Sequence, residues 1–289
     1  MDDEQSFEPQ AAPEGMQALL AMLRAVGNAA PDQGLDLGSA GLALAALDAP
    51  DTPLFPYYAH LQELNRAVAV NCTDPDDLTA RATALSATLA QQYGYQGDWE
   101  NYEDMRNADL IQVIERRKGL PVALALLYIT AARGQGWHCE GINFPSHFLI
   151  RLSLGAERCI LDPFNGGKIL APNDLRDLLK YFGGGEAELK PHFYEPVSDH
   201  ALLLRLLNNI KARAVAAQDL ARTDEILTRM LLIAPKEAIM WHEQGMVRAR
   251  RGDIGGAIES MGQCKTHAQD PKLKKFAEIA LDKLRQHLN

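Results

Sequence analysis

The chain has 289 residues and a formal charge of −9 at pH 7, and 47% of its residues are hydrophobic. This balance is typical of a globular protein with a large buried core, and the length allows one large domain or two ordinary ones. The negative charge argues against nucleic acid or an anionic membrane as a partner.

The N-terminus lacks a basic segment followed by an apolar run, and no stretch reaches the roughly 20 apolar residues that cross a bilayer. The four cysteines show no CxxC spacing, which favours reduced thiols. They are Cys72, Cys139, Cys159 and Cys264. We therefore expect a cytoplasmic protein that does not contact a membrane.

The first part of the chain divides into an acidic tail and a helical region. Residues 1–14 hold five acidic residues and no Lys or Arg, which predicts a disordered tail. Residues 15–92 form the predicted helical region. Helices are predicted over 17–27, 39–47, 57–70 and 77–92. Ser39 and Asp77 are the expected N-caps of the second and fourth helices.

Residues 93–190 form the predicted core. An aromatic and acidic stretch, 98–104, is expected to cover its edge. A short helix over 108–117 precedes Pro121–Arg133, which is apolar on nearly every side and therefore belongs inside a domain. Three extended runs follow, and a tight turn between the last two predicts an antiparallel hairpin. These runs are residues 138–144, 147–154 and 158–164.

Residues 200–289 are predicted to be helical throughout. Four residues fall at the spacing that a 34-residue tetratricopeptide repeat uses for packing. They are Trp241, Gly245, Gly252 and Ala257. The pattern predicts repeats over 204–237 and 238–271 and a capping helix over 273–288. Because two repeats cannot bury their faces unaided, the tail should dock on the preceding domain.

The predicted hairpin brings His147 and Asp162 to the same place. If Ser153 pairs with Ala156, His147 lies directly opposite Asp162. If Leu154 pairs with Glu157 instead, the two are offset by two residues and still share a face. A carboxylate beside an imidazole is the orienting half of a Cys–His–Asp triad.

The nucleophile of such a triad would be a cysteine at the start of the preceding buried helix, where free amides lower the pKa of a thiol. The sequence there reads Gly119, Leu120, Pro121, Val122, Ala123, and none of these can attack a substrate. Cys139 lies on a strand, and strand alternation points Cys159 away from the face of Asp162. We therefore expect no standard nucleophile.

Three blocks of this region, RRKGLPVALALLY, FPSHFLIR and ILDPFNGGK, resemble the bacterial Sir-B-type (invasion-regulator-like) transglutaminase-like proteins. The resemblance covers about residues 35–285. It implies a helical N-terminal segment, a reduced transglutaminase core and C-terminal tetratricopeptide repeats. His147 and Asp162 match the His and Asp positions of the family. Its nucleophile position falls at Pro121 or Val122, and family members commonly lack the cysteine.

Three interpretations of His147 and Asp162 remain open. They can be structural, with Asp162 holding the loop before Pro163. They can form a functional site with an unusual nucleophile. The third interpretation is a metal site, although no tight zinc-binding spacing is present. Its ligands would come from His138, Cys139, His147, Cys159 and Asp162.

The predicted fold class is α+β and mostly helical, with a degenerate papain- or transglutaminase-like core, a small antiparallel sheet and a helical repeat tail. The predicted function is a non-catalytic, regulatory adaptor that binds a protein through the repeats or the vacated cleft. We predict no cofactor and no bound metal. The alternative is a hydrolase, deamidase or acyl-transfer enzyme that uses His147 as base and Asp162 to orient it.

Overall fold

A computed structural model describes residues 15–30, 33–142, 144–145, 147–183 and 188–286. The predicted acidic tail, residues 1–14, lies outside this described part. The helices are α1 (Met16–Asn28), α2 (Leu37–Ala46), α3 (Phe55–Asn71), α4 (Leu78–Ser86), α5 (Leu110–Arg116), α6 (Pro121–Arg133), α7 (Pro172–Gly183), α8 (Asp199–Ala216), α9 (Leu220–Ile233), α10 (Ala238–Arg250), α11 (Ile254–His267) and α12 (Pro271–Gln286). The strands are β1 (Gln96–Gly97), β2 (Lys118–Gly119), β3 (His138–Ile142), β4 (Leu149–Leu154), β5 (Glu157–Asp162), β6 (Lys168–Leu170) and β7 (Pro196–Val197). Of the helices within the described ranges, none is long and apolar enough to cross a membrane.

Helix α6 is the centre of the fold, with the bounds that the sequence predicted. Pro121 occupies its first turn, where a missing N–H costs nothing. Of its 13 residues, 11 are buried, because α2, α3 and α8 pack around it and the sheet covers another side. A helix with no solvent face needs no polar stripe, which explains its uniformly apolar sequence.

Strands β3 to β7 form one antiparallel sheet in the order β6-β5-β4-β3-β7. One face carries Ile150, Leu152 and Leu161 into the main core beside α6. The other face forms a smaller core with α7, to which Ile142 and Leu149 belong. The mostly helical α+β fold with a small antiparallel sheet is therefore confirmed.

The predicted hairpin is present in the second of its two registers. Leu154 pairs with Glu157, and Ile150 pairs with Leu161. Strand β4 begins at Leu149, so the prediction that His147 opens the strand is wrong. His147 lies in the bend before the strand, where its backbone N–H bonds the carbonyl of Phe144 at 3.1 Å.

The structure also corrects the predicted N-cap of α2. Asp36, not Ser39, is the N-cap, and its carboxylate accepts the backbone N–H of Ser39 at 3.0 Å. An aspartate at this position satisfies a free amide and complements the helix dipole. The predicted cap of α4 is confirmed, because the carboxylate of Asp77 accepts the N–H of Thr79 at 2.9 Å.

Helices α8 to α12 form a run of helices joined by short turns. The residues singled out at repeat spacing have packing roles in it: a Cβ on Gly245 would lie 2.8 Å from the Met261 side chain, and Ala257 is fully buried. Gly252 has a φ of 81°, which favours glycine in the turn after α10.

The tail docks on the rest of the chain through α8 and α9, which pack against α6 and α1. A carboxylate clamp reinforces this contact: both Arg222 and Arg229 of α9 donate two hydrogen bonds to Asp48, which follows α2. The distances are 2.5 to 2.8 Å. Burial alone would raise the pKa of Asp48, but the two guanidinium groups outweigh it and hold the pKa well below its usual range.

Candidate functional site

The structure brings the two predicted site residues together. His147 Nε2 lies 2.8 Å from Asp162 Oδ1, and both residues are buried, 5% and 1% exposed. The bend before β4 carries the histidine and the end of β5 carries the aspartate. The two-residue offset in register therefore still allows the contact, because the side chains converge beyond the paired part of the hairpin.

Asp162 makes further contacts that hold the loop after β5. Its Oδ1 accepts the backbone N–H of Phe164 at 3.1 Å and that of Asn165 at 3.3 Å, and its Oδ2 accepts the Asn165 side-chain amide at 2.6 Å. A carboxylate that accepts several N–H groups behaves as the N-cap of a short 3-10 turn. Asp162 therefore has a structural role whether or not the pair has a chemical one.

Aromatic side chains pack next to the pair. The Phe164 ring contacts His147 edge-on, with 6.0 Å between ring centroids. Phe164 also contacts Trp99, with 4.7 Å between ring centroids. The imidazole therefore packs in an aromatic environment and is itself only 5% exposed.

The start of α6 is also filled. Leu120 and Val122 are 1% and 2% exposed, and Pro121 is buried between them. The loop in front of it is fixed by the buried Asp98 and Asn107, which accept hydrogen bonds from Arg116 at 2.8 and 2.9 Å. The position that a thiol would need is therefore apolar and packed.

The aromatic and acidic stretch 98–104 covers this region only in part. Asp98 is buried, but Trp99 is 62% exposed at the rim of a surface cavity of about 400 Å³. Tyr95, Phe164 and Asn165 also line this cavity. Arg213 of α8 fixes the loop by donating to the carbonyls of residues 102 and 103 at 3.0 and 2.9 Å.

The cysteines of the sheet lie away from the His147–Asp162 pair. Cys139 and Cys159 flank Leu152 on neighbouring strands, about 10 Å along the sheet from its edge at Leu149. Burial raises the pKa of the Cys139 thiol to about 12 and that of Cys159 to about 11. Both thiols are therefore protonated at neutral pH and are poor nucleophiles.

This leads to a prediction for thiol reactivity. In the native protein, alkylation by iodoacetamide is expected to be about a thousandfold slower than in urea for buried Cys139 and about a hundredfold slower for partly buried Cys159, because few of the thiols are ionised. The rates should keep rising with pH up to about 11. Peptide mass spectrometry of timed samples measures both rates, with half-buried Cys72 as the internal control. Rapid native labelling of Cys139 at pH 7 would contradict the burial of its thiol.

Within the described ranges, no group of three His, Cys, Asp or Glu side chains is placed to hold a metal ion. Of the ligands considered from the sequence, only His147 and Asp162 are seen in contact, while Cys139 and Cys159 face the main core. The structure therefore does not bring the proposed metal ligands together.

Two polar residues near the pair were missed by the sequence analysis. Tyr128 is fully buried on α6, and no partner for its hydroxyl is found in the described part of the chain. Burial, with a smaller contribution from the charge of Asp162, raises the pKa of Tyr128 well above its usual range. Ser86 also points here and donates to the carbonyl of Gly167 at 2.6 Å. The available signal was that Tyr128 is one of only two hydroxyl side chains, with Thr130, on an otherwise largely apolar helix.

Comparison with known proteins decides the family. A sequence model of the transglutaminase-like superfamily matches residues 56–208, more than half of the chain. The chain belongs to the transglutaminase-like superfamily. The matched range includes α3, the whole of α6 and every strand described above, so the His147–Asp162 pair lies inside the transglutaminase-like region.

Bacterial relatives match most of the chain. The UPF0162 protein of Xylella fastidiosa is 27% identical over 264 residues, which cover 89% of this chain and 94% of that protein. The UPF0162 protein of Vibrio cholerae is 34% identical over 179 residues, 62% of this chain and 66% of that protein. Human F-box only protein 21 shares a shorter segment, 42% identical over 82 residues, 28% of this chain and 13% of that protein.

Proposed function

We propose that this transglutaminase-like chain is a non-catalytic, cytoplasmic adaptor of the Sir-B type, with a tetratricopeptide-type tail that binds a protein partner. The observation that carries this proposal is the start of α6, where buried Pro121 and Val122 stand in place of a nucleophile. A thiol-dependent acyl transfer needs an attacking atom there, and a packed pyrrolidine ring offers none.

The surroundings of His147 support the same proposal. A general base must reach the proton that it removes, directly or through one water. His147 is 5% exposed and packs against Phe164, and Asp162 is engaged by the backbone of its own loop. The pair therefore serves as an internal clamp that joins β5 to the bend before β4.

Two surfaces remain for a partner. The first is the surface cavity beside Phe164, where Trp99 is exposed at the rim. The second is the helical tail, whose repeated pairs of helices present faces suited to helices or extended peptides. Both rest on the rigid core, which the Asp48 clamp joins to α9.

His147→Ala tests the proposal against its enzymatic alternative. The purified full chain and the variant are assayed for hydrolysis, for ammonia release from glutamine peptides and for amine transfer. We expect no turnover above background in either protein. Chemical cross-linking in a bacterial extract should capture the same partner with both, because the histidine is buried and offers little surface to a partner.

The control is Asp177→Ala, an exposed change on α7, and circular dichroism checks folding of each variant. Turnover by the natural chain that disappears in His147→Ala, while folding and partner capture persist, would establish the enzymatic alternative and overturn the adaptor.

A further inference from the structure

We infer that the outer face of α10 and α12 binds an acidic peptide segment with a bulky apolar side chain, contributed by the partner protein. This inference rests on the proposed adaptor function and specifies the kind of peptide that the helical tail binds. We name this surface the basic–apolar stripe. Its residues are Ile239 and His242 on α10 and Lys272, Lys275, Phe276 and Ile279 on α12.

The stripe follows from helical spacing. Residues 272, 275, 276 and 279 of α12 are three or four apart, which places them on one side of the helix. The opposite side buries Ala277 and Leu281. Phe276 reaches α10, where its ring lies 4.8 Å from that of His242. The side chains of two helices therefore form one continuous surface.

The apolar members of the stripe are open to solvent. Ile239 is 60% exposed, and Phe276 and Ile279 are each 46% exposed. Single exposed apolar residues are ordinary, whereas large apolar side chains that share a surface with cations suit a binding site. Such a surface fits a bulky apolar side chain of a partner segment.

The charge of the tail indicates which residues would flank that apolar side chain in the partner segment. Residues 200–289 contain 15 Lys and Arg against 10 Asp and Glu, whereas the whole chain has a net charge of −9. Lys272 and Lys275 are exposed, and no carboxylate of the described residues lies within salt-bridge distance of either. The nearby Glu278 is engaged by Lys265 at 3.3 Å. Two unpaired ammonium groups beside an apolar surface complement an acidic segment.

A peptide fits this surface better than a nucleic acid. Phosphate recognition needs cations along a path and gains from stacking on exposed aromatic faces. Here Lys272 and Lys275 share one side of α12 with aliphatic Ile279, and the Phe276 ring is already packed edge-on against His242. The large negative charge of the rest of the chain also repels a polyanion.

The test uses the full chain and a fluorescent synthetic peptide with several glutamates around a leucine–phenylalanine pair. Fluorescence anisotropy is expected to show binding that weakens as salt is raised. Lys275→Glu should weaken binding by roughly tenfold, the effect of about 1.4 kcal/mol. Lys274→Glu is the matched control: it makes the same charge change on the same helix but outside the stripe, and should change affinity less than about twofold.

Phe276→Ser tests the apolar part and should also weaken binding by roughly tenfold, whereas Phe55→Ala, an exposed change on α3, should have no effect. Circular dichroism checks each variant for folding. The inference is overturned if the peptide does not bind, or if Lys274→Glu and Lys275→Glu weaken it equally. It is also overturned if a single-stranded oligonucleotide binds as tightly with no dependence on Phe276.

Failure of this inference is distinguishable from failure of the adaptor function. Peptide binding tests the basic–apolar stripe alone. The adaptor proposal, in contrast, would be contradicted by catalytic turnover that requires His147. If the peptide does not bind but partner capture is unchanged, the stripe is not the binding surface, and the adaptor proposal still stands.

Discussion

Replacing Asp162 with alanine is expected to lower the free energy of unfolding by about 3–5 kcal/mol. The carboxylate accepts hydrogen bonds from His147, Phe164 and Asn165, and it is 1% exposed. Its removal leaves several donors buried without an acceptor, which costs more than the bonds contribute when made. His147→Ala should cost less, about 1–3 kcal/mol, because Asp162 keeps its other donors.

Urea unfolding followed by circular dichroism measures both changes. The double variant should lose less than the sum of the single losses, because both substitutions remove the same contact. Asp177→Ala, which removes an exposed carboxylate, serves as the control and should leave the midpoint nearly unchanged. A loss below about 0.5 kcal/mol for Asp162→Ala would contradict the structural role of the His147–Asp162 pair.

Asp48→Asn is expected to loosen the tail from the core, with a loss of about 1–2 kcal/mol, because Asp48 is exposed and solvent screens part of its attraction to the two arginines. Arg229 is 8% exposed, so the substitution leaves a buried guanidinium without its counter-charge. Hydrogen exchange should rise in α9 and α10 more than in β3 to β5, because the clamp holds the tail rather than the sheet. Asp51→Asn, an exposed change in the same loop, is the matched control.

The same substitution should change how stability depends on pH. Folding lowers the pKa of Asp48, so its contribution is complete above the pKa of the unfolded chain, about 4, and is lost as pH falls towards the lower folded value. Natural protein should therefore lose more stability than Asp48→Asn between about pH 5 and pH 2. Equal losses across that range would show that the clamp does not depend on the carboxylate charge.

Local rules recovered much of the fold from the sequence. The bounds of α6 followed from an apolar run between a proline in its first turn and glycines beyond its end. The cap at Asp77 followed from the side chain that best accepts a free amide. Where two acceptors competed, as at Asp36 and Ser39, the sequence rule chose the wrong one, because only the turn geometry shows which oxygen reaches the amide.

The pairing of strands that lie far apart in the sequence was harder to predict. Strands β6 and β7 have three and two residues, too short for a periodic signal, and β7 joins the sheet from beyond α7. The exposure of Trp99 was also missed, because a loop rich in aromatic residues can cover a core or form the rim of a cavity with the same composition.

The absence of a nucleophile at Pro121 and Val122 could be read from the residues alone, since folding cannot supply a side chain that is missing. The proximity of His147 to Asp162 could also be predicted, because both registers of a short hairpin bring the two together. The burial of the pair and the contact of Asp48 with the tail became known only from the three-dimensional structure. Those facts depend on contacts between residues far apart in the chain, and local propensity carries no record of them.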